Sequence, residues 1–353
     1  MATLRAAIIG YGLAGRVFHA SLIAATPGLE VAVIMTSSPE RVSQAVQDHP
    51  RARVVPDLDA VWGSAPDLVV VATPNDTHAA IASAAIERGI AVVVDKPVAV
   101  SAAQARELVA GAQRTGVLLT VFQNRRWDSD QLTLRALMDQ GALGEVVRYE
   151  SRFERWRPEP QSEAWRERAA PSAGGGQLLD LGSHLVDQAL VLFGPVTHVY
   201  AEIESRRGLA GDDDVFIALR HASGPISHLH AGAVMPAPGP RLRVQGSRGG
   251  FLVTALDPQE AALRGGERPD TSPAWGQGEE WERGRLVAGE RSIPVPGQPG
   301  DWPRFYILLE QALREGGPPP VDPHDAVVTL RVLEAARESA AARQTVSFDA
   351  AAT

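Results

Sequence analysis

Ala6-Ala7-Ile8-Ile9-Gly10-Tyr11-Gly12-Leu13-Ala14-Gly15 is the stretch that decides the fold. Four apolar residues of a buried-type strand run straight into a G-x-G-x-x-G pattern. The residues that follow, Gly12–Ala25, carry a helical pattern, and a second apolar run, Val31–Met35, lies within about 30 residues, the context a dinucleotide-binding turn requires. In such a turn the first glycine permits the sharp bend. The second lets backbone approach a pyrophosphate, and the third packs helix on strand. The free N–H groups and positive dipole end of the helix then favour an anion. Gly10, Tyr11, Gly12, Leu13, Ala14 and Gly15 are therefore candidate cofactor contacts.

Outward from this point the same alternation continues. Val54–Val55, Leu68–Ala72, Ala91–Val94 and Val117–Val121 read as further short buried strands. Helical patterns at Pro39–His49, Thr77–Arg88 and Ser101–Arg114 separate them, with Gly28, Gly89 and Gly116 where helices should stop. The class is α/β, with a doubly wound parallel sheet over residues 1–124. Past Asn124 the rhythm changes. A helix at Ser129–Asp139 and a strand at Glu145–Phe153 precede a polar Arg- and Trp-rich stretch, Glu154–Ala170. The run Gly174-Gly175-Gly176 opens a helix at Leu178–Leu192. Strands at Val196–Glu204, Val215–His221, Ile226–Ala233, Leu242–Gln245 and Phe251–Thr254 predict a mostly antiparallel open sheet in a second α/β unit, residues 125–353. The segment from Gly265 to Gly300 reads as a long loop. Two helices, Pro303–Arg314 and Pro323–Arg343, close the chain, the last able to pack back on the first unit.

The 34 basic side chains include one lysine, Lys96, which leaves 33 arginines. Lys96 sits in Asp95-Lys96-Pro97, directly after the strand Ala91–Val94, where α/β sheets form ligand crevices. Arginine never deprotonates in a protein, whereas lysine is a compact donor whose pKa moves on burial. A lysine retained there points to a role that arginine cannot fill.

Other strand ends supply further candidates. Thr36, Ser37 and Ser38 follow the second strand, and no acid stands there to grip a ribose 2′-hydroxyl. With Arg41 or Arg16 for charge they favour NADP, with NAD as the second option. Thr73-Pro74-Asn75, with His78 one turn on, is either a ligand-facing loop or a plain helix cap. In the second unit Asp180-x-x-x-His184 places an acid and a histidine on one helix face, where the acid can fix the tautomer of the base; taken alone the pair also suits a cap and a structural histidine. Arg126, Arg155, Trp156, Trp165 and Arg166 offer donors and flat faces suited to a hydroxyl-rich ring, or else form a solvated surface loop. His228 and His230 share a strand face without a carboxylate set to complete a metal site, and Asp212-Asp213-Asp214 reads as a charged turn; no metal is expected.

Bulk properties narrow the classes. Apolar content of 44%, charged content of 22% and a net charge of −8 are ordinary for a globular protein and give no basic face for nucleic acid. The absence of cysteine excludes disulfides, thiol nucleophiles and thiolate metal sites. No apolar run is long enough to cross a bilayer, and a strand that starts near Leu4 fits no signal peptide, so the expected compartment is the cytoplasm.

Taken in order, the glycine loop, Thr73-Pro74-Asn75, Asp95-Lys96-Pro97 and Gly-Gly-Gly-x-x-x-Asp180-x-x-x-His184 resemble the Gfo/Idh/MocA oxidoreductases over essentially the whole chain. Val17-Phe18-His19, Asn124-Arg125-Arg126-Trp127-Asp128 and Asp180-Leu181-Gly182-Ser183-His184 look most like the NADP-dependent scyllo-inositol dehydrogenase branch. Asp95 departs from the commoner glutamate. The resemblance implies a Rossmann domain, a second domain with a large open sheet, and a homodimer or homotetramer built through that sheet. It implies a cis Lys96–Pro97 peptide, a cofactor contact at Asn124, and a polyol or sugar substrate. Lys96, Asp180 and His184 match the catalytic set: His184 as base oriented by Asp180, and Lys96 on the hydroxyl and nicotinamide. Other chemistries on the same scaffold are sugar or dihydrodiol oxidoreduction and redox-assisted glycoside hydrolysis. A non-enzymatic NADP sensor would have no need of these three residues together.

Overall fold

The first sheet of the computed structural model, which describes residues 2–160, 165–279 and 284–349, is built from uninterrupted apolar runs. Its strands are β1 (Leu4–Ile9), β2 (Leu29–Met35), β3 (Arg53–Val55), β4 (Leu68–Val71), β5 (Ala91–Asp95) and β6 (Leu119–Phe122). All pair in parallel, in the order β3-β2-β1-β4-β5-β6. Strands covered by helices on both faces need no polar alternation. Accordingly every residue of β4 and β5 is buried. The strand order reverses between β1 and β4, so the crevice at the sheet's C-terminal edge opens where Gly10 follows β1 and Thr73 follows β4.

The second sheet has nine strands among the described residues. In chain order these are β7 (Val146–Glu154), β8 (Val196–Glu204), β9 (Asp214–His221), β10 (Ile226–Gly232), β11 (Leu242–Gly246), β12 (Gly250–Val253), β13 (Arg285–Ala288), β14 (Arg291–Pro294) and β15 (Val346–Ser347). They lie in the order β14-β13-β12-β11-β7-β10-β9-β8-β15, and only β7 with β10 is parallel. The helices Ser183–Phe193 and Pro323–Ala342 cover one face. The other carries half-exposed Tyr200, Phe216, His228 and His230.

Residues 265–300 are not one long loop: β13 and β14 form a hairpin on the edge of the sheet. Both strands are four residues long and mostly exposed, so no apolar alternation announces them. Residues 280–283 of that segment, like 161–164 of the Arg/Trp-rich stretch, lie outside the described residues. Short helices at Leu58–Trp62 and Gln259–Arg264 and the two-residue strand β15 also went unread, being too brief to show a period.

The chain's end ties the two sheets together. Pro323–Ala342 packs on both β8 and the helix Ala102–Thr115. In the helix Pro303–Glu315, Phe305 meets Phe122 edge-on with ring centroids 5.0 Å apart, and the Tyr306 hydroxyl lies 2.6 Å from His19 Nδ1. Among the described residues no helix is long and apolar enough to cross a membrane.

Candidate active site

Backbone crowding explains the glycine loop. Gly10 has φ +96°, and a Cβ there would stand 2.6 Å from the Ala72 carbonyl oxygen. A Cβ on Gly15 would overlap the Gly10 carbonyl itself. A Cβ on Gly12 would meet only Arg41 Nη1, at 4.0 Å. The outer glycines are thus demanded by the protein's own packing. The middle one leaves bare backbone facing open space, a cradle that fits a pyrophosphate. Leu13 and Ala14 continue it into the wall of the inter-sheet cleft.

Of the two arginines considered for charge at this end, Arg16 is committed. Its guanidinium binds Asp48 at 2.6 Å, and the buried Tyr11 hydroxyl donates to the same carboxylate at 3.0 Å. Tyr11 is therefore a strut beneath the loop. Arg41 is exposed beside Gly12, one helical turn past exposed Ser37 and half-buried Ser38. Thr36 is buried at the end of the strand pairing, its N–H donating to Val55 O.

The loop after β4 divides. Thr73 lies against Gly10, its hydroxyl 2.6 Å from that of Thr77, and Pro74 is exposed. Asn75 and His78, however, are turned inward. The Asn75 amide donates to Gly174 O at 2.8 Å, clipping the two sheets' loops together. The His78 ring nitrogens lie 2.8 Å from Pro97 O and 2.9 Å from Thr73 O. Buried with its ring nitrogens between these two carbonyls, of which the neutral ring's one N–H can donate to either, His78 is a spacer between two strand-end loops rather than a ligand contact.

Lys96 follows β5 across a cis peptide to Pro97. Its Nζ donates to the Asp180 carbonyl at 2.6 Å and to Asp180 Oδ1 at 2.8 Å, and the two residues share the cleft wall with His184. The helix that carries Asp180 begins with a wide, π-type turn over Leu178–Gly182, a feature that recurs at functional sites. Burial disfavours the Asp180 carboxylate, but Lys96 and Arg166 outweigh it and hold the group well below the usual carboxylate range.

The pairing differs from the expected one. Asp180 does not hydrogen-bond His184; its carboxylate is taken by Lys96, because a full ammonium is a stronger partner than a neutral imidazole. His184 is held instead by Gln123, whose Oε1 lies 3.2 Å from Nδ1. With that oxygen as acceptor, Nδ1 carries the proton and Nε2 keeps its lone pair. Burial, with Lys96 and Arg125 nearby, pushes the His184 pKa well below its usual value, so the ring is neutral at neutral pH.

The expected substrate side is sorted by the fold. Arg155, Trp165 and Arg166 line a cleft of about 380 Å³ together with Lys96, His184 and Asn124. Arg126 does not. The short helical turn Asn124–Trp127 aims it away, into Asp187 at 2.6 Å and Asp325 at 2.9 Å. Its neighbour Arg125 faces the cleft instead, over the rings of Phe153 at 4.7 Å and Trp302 at 5.7 Å. Trp156 is also misassigned: it is 57% exposed and bridges Val234 on the side away from the cleft. Gln123, Arg125, Arg157, Glu260 and Trp302 were not read from the sequence. Gln123 had one available signal, its place right after β6, at the same sheet edge as Lys96. Arg125 stands in the motif Asn124–Asp128 and Arg157 in the Arg- and Trp-rich stretch, whereas Glu260 and Trp302 join the cleft only through tertiary packing.

Asp212 and Asp213 are not a solvated turn. Asp212 accepts from Leu178 N–H at 2.6 Å and from Arg337 at 3.0 Å, and Asp213 from Arg207 at 2.9 Å. Gly176 makes room for this, since a Cβ there would stand 2.5 Å from the Asp212 carboxylate. His228 and His230 lie on the open sheet face, and among the described residues no three His, Asp or Glu side chains gather to hold a metal.

A family model described as "Oxidoreductase family, NAD-binding Rossmann fold" matches residues 4–123, and one for the "GFO/IDH/MocA C-terminal domain" matches 131–252. An uncharacterised Escherichia coli oxidoreductase, YdgJ, is 40% identical over 97% of this chain and 98% of its own. The Bacillus subtilis scyllo-inositol 2-dehydrogenase (NADP(+)) IolW is 34% identical, covering 98% of this chain and 96% of its own. Among solved structures, Bacillus subtilis yvaA superposes with a TM-score of 0.92 at 34% identity, covering 99% of both chains.

Proposed function

Because the chain belongs to the Gfo/Idh/MocA family of oxidoreductases, we propose that it moves a hydride between NADP and a secondary alcohol of an inositol-like polyol or sugar. The observation that carries this reading is the meeting of Lys96 and His184 in one cleft whose far wall begins at the open Gly12 backbone. The relative named for NADP-linked scyllo-inositol dehydrogenation supports the alcohol and the cofactor. On this reading residues 1–124 hold the dinucleotide and residues 125–353 the alcohol.

Hydride acceptance from the alcohol carbon is the chemistry a bound nicotinamide supplies. The chain's own residues handle the rest. His184 Nε2 has no hydrogen-bond partner among the described residues and takes the hydroxyl proton. Lys96 donates to the hydroxyl oxygen as negative charge develops there, and Asp180 holds Lys96 in place. A positioned base of this kind is worth about 10²–10⁴-fold in rate. Thr36, Ser37, Ser38 and Arg41 favour the 2′-phosphate of NADP, with Arg41 as its main charge. The half-exposed face of the nine-stranded sheet, with Tyr200 and Phe216 on it, is the surface on which copies would assemble into a homodimer or homotetramer.

The test is turnover with NADP and with NAD over a panel of inositols and sugars. NADP-linked oxidation of at least one is expected, and Arg41→Ala should weaken NADPH binding about tenfold while leaving NADH binding unchanged, the size of one lost charge-assisted contact. Absence of turnover on every alcohol would overturn the activity. Equal or tighter binding of NADH by the native protein would overturn the cofactor preference.

A further inference from the structure

The protein pairs most of its sheltered arginines with acids. Arg125 binds Asp128 at 3.3 Å and Glu260 at 2.7 Å; Arg126 binds Asp187, Arg207 binds Asp213, and Arg241 lies 3.2 Å from Asp130. Arg155 is not paired in this way; half-buried Arg135 is another such case, but it lies outside the cleft. Arg155 is half-buried in the cleft wall and, like Arg157, has no side-chain hydrogen bond or ion pair among the described residues. Both are aimed by backbone. Arg155 N–H donates to Gly232 O at 2.9 Å, where the parallel β7–β10 pairing ends, and Arg157 N–H donates to Ala233 O at 2.7 Å, beside the antiparallel Trp156–Val234 bridge. Extended chain alternates its side chains, so 155 and 157 face the cleft while Trp156 faces out.

The surroundings add to the imbalance. Arg166 shares Asp180 with Lys96, lying 3.5 Å from Oδ1. The cleft lining carries six cations against four carboxylates, on a chain whose net charge is −8. One of the four, Glu167, is engaged by Arg207, which is not part of the lining. Burial and the neighbouring Arg157 both disfavour the charge on Arg155. A guanidinium kept there without a partner is costly unless something arrives to pair with it, and the planar fork suits the two oxygens of a carboxylate or phosphate.

We propose that the alcohol is an anionic one: a sugar acid or sugar phosphate whose carboxylate or phosphate is held by Arg155 and Arg157 while its secondary hydroxyl lies on Lys96 and His184. This rests on the reading of the cleft as a polyol or sugar dehydrogenase site and narrows its substrate class.

The test compares matched substrates at saturating NADP: D-glucose against D-glucuronate for the carboxylate and against D-glucose 6-phosphate for the phosphate. At least a tenfold higher kcat/KM for one of the anions is expected, and which one identifies the group. In Arg155→Ala and Arg155→Gln the KM for that anion should rise tenfold or more, at least about fivefold more than the KM for a neutral polyol rises, with the KM for NADP within about twofold, since the lost contact is a charge-assisted pair. Neutral polyols turned over faster than both anions by the native enzyme would overturn the proposal and leave the dehydrogenase reading standing. A KM for NADP that rises in parallel would also overturn it, by placing Arg155 on the cofactor. Calorimetric binding of glucuronate and glucose 6-phosphate to the NADPH complex separates the two readings if no alcohol turns over. Binding lost in Arg155→Ala sustains the anion site alone, and no binding of either ends it.

Discussion

The two walls of the cleft are built by different means. The dinucleotide wall is backbone: Gly10 is pressed against Ala72, Gly15 against Gly10, and Gly12 is open between them. The wall proposed to take the alcohol is side chain: Lys96 on Asp180, His184 on Gln123, Arg125 over Phe153 and Trp302, and Arg155 unpaired among the described residues. A backbone wall restricts which residue types can stand at its positions, so it leaves a pattern in one sequence. A side-chain wall is a choice among partners, made in three dimensions.

The largest effect that tests this contrast is at Lys96, which leaves the parallel sheet and bonds across the cleft to Asp180. Lys96→Ala should lower kcat by about 10³-fold, the loss of a donor to developing negative charge, while NADPH affinity changes less than about threefold. Lys96→Arg should recover little. The ammonium makes two short bonds to one residue, at 2.6 and 2.8 Å, and a longer planar fork cannot repeat them without displacing Asp180. Steady-state turnover on the best alcohol, with fluorescence titration of NADPH, reads both. Near-normal turnover in Lys96→Arg would reduce Lys96 to a positional cation and remove the special meaning of the chain's one lysine.

The glycines sharpen the same contrast at a smaller scale. Gly15→Ala places a methyl group into the Gly10 carbonyl and should destabilise the fold by about 1–3 kcal/mol or more. Gly12→Ala meets only the end of a flexible arginine, so the melting temperature should hold while NADPH affinity falls about tenfold or more, since the methyl stands where the pyrophosphate approaches. Thermal melts with and without NADPH separate the two. If both variants melt alike and bind alike, the middle glycine is not the ligand-facing one.

This difference also sets what one sequence could show. The parallel sheet, the glycine loop and the place of Lys96 were legible because apolar runs and strand ends are local features. The β13–β14 hairpin was not, because its eight residues are almost all exposed and carry no period. In the motif Asn124–Asp128 the arginine chosen was the wrong one of two neighbours: Arg126 meets Asp187 and Asp325, which lie 61 and 199 residues on, and nothing local says so. Asp180 and His184 were found, yet their expected bond was not, since the carboxylate's actual partner comes from the other sheet.

The smallest expected effect concerns that last pairing and is read in a pH profile. A base works in its neutral form, which predominates above its pKa. Burial, Lys96 and Arg125 push the His184 pKa well below its usual value, so kcat/KM for alcohol oxidation should stay flat as pH falls from 8 through 6.5, with the acid limb lying well below. Gln123→Glu keeps the shape of the orienting side chain but puts a carboxylate 3.2 Å from Nδ1. An anion at that distance stabilises the imidazolium and should raise the pKa by about one unit or more, moving the acid limb up toward neutrality with only a few-fold loss at pH 8. Asp180→Asn should act differently. It leaves His184 on Gln123 but frees Lys96, so kcat should fall at every pH without the limb moving upward. A limb that rises in Asp180→Asn and stays fixed in Gln123→Glu would return the orienting role to Asp180 and break the division between a histidine held by Gln123 and a lysine held by Asp180, each across the cleft.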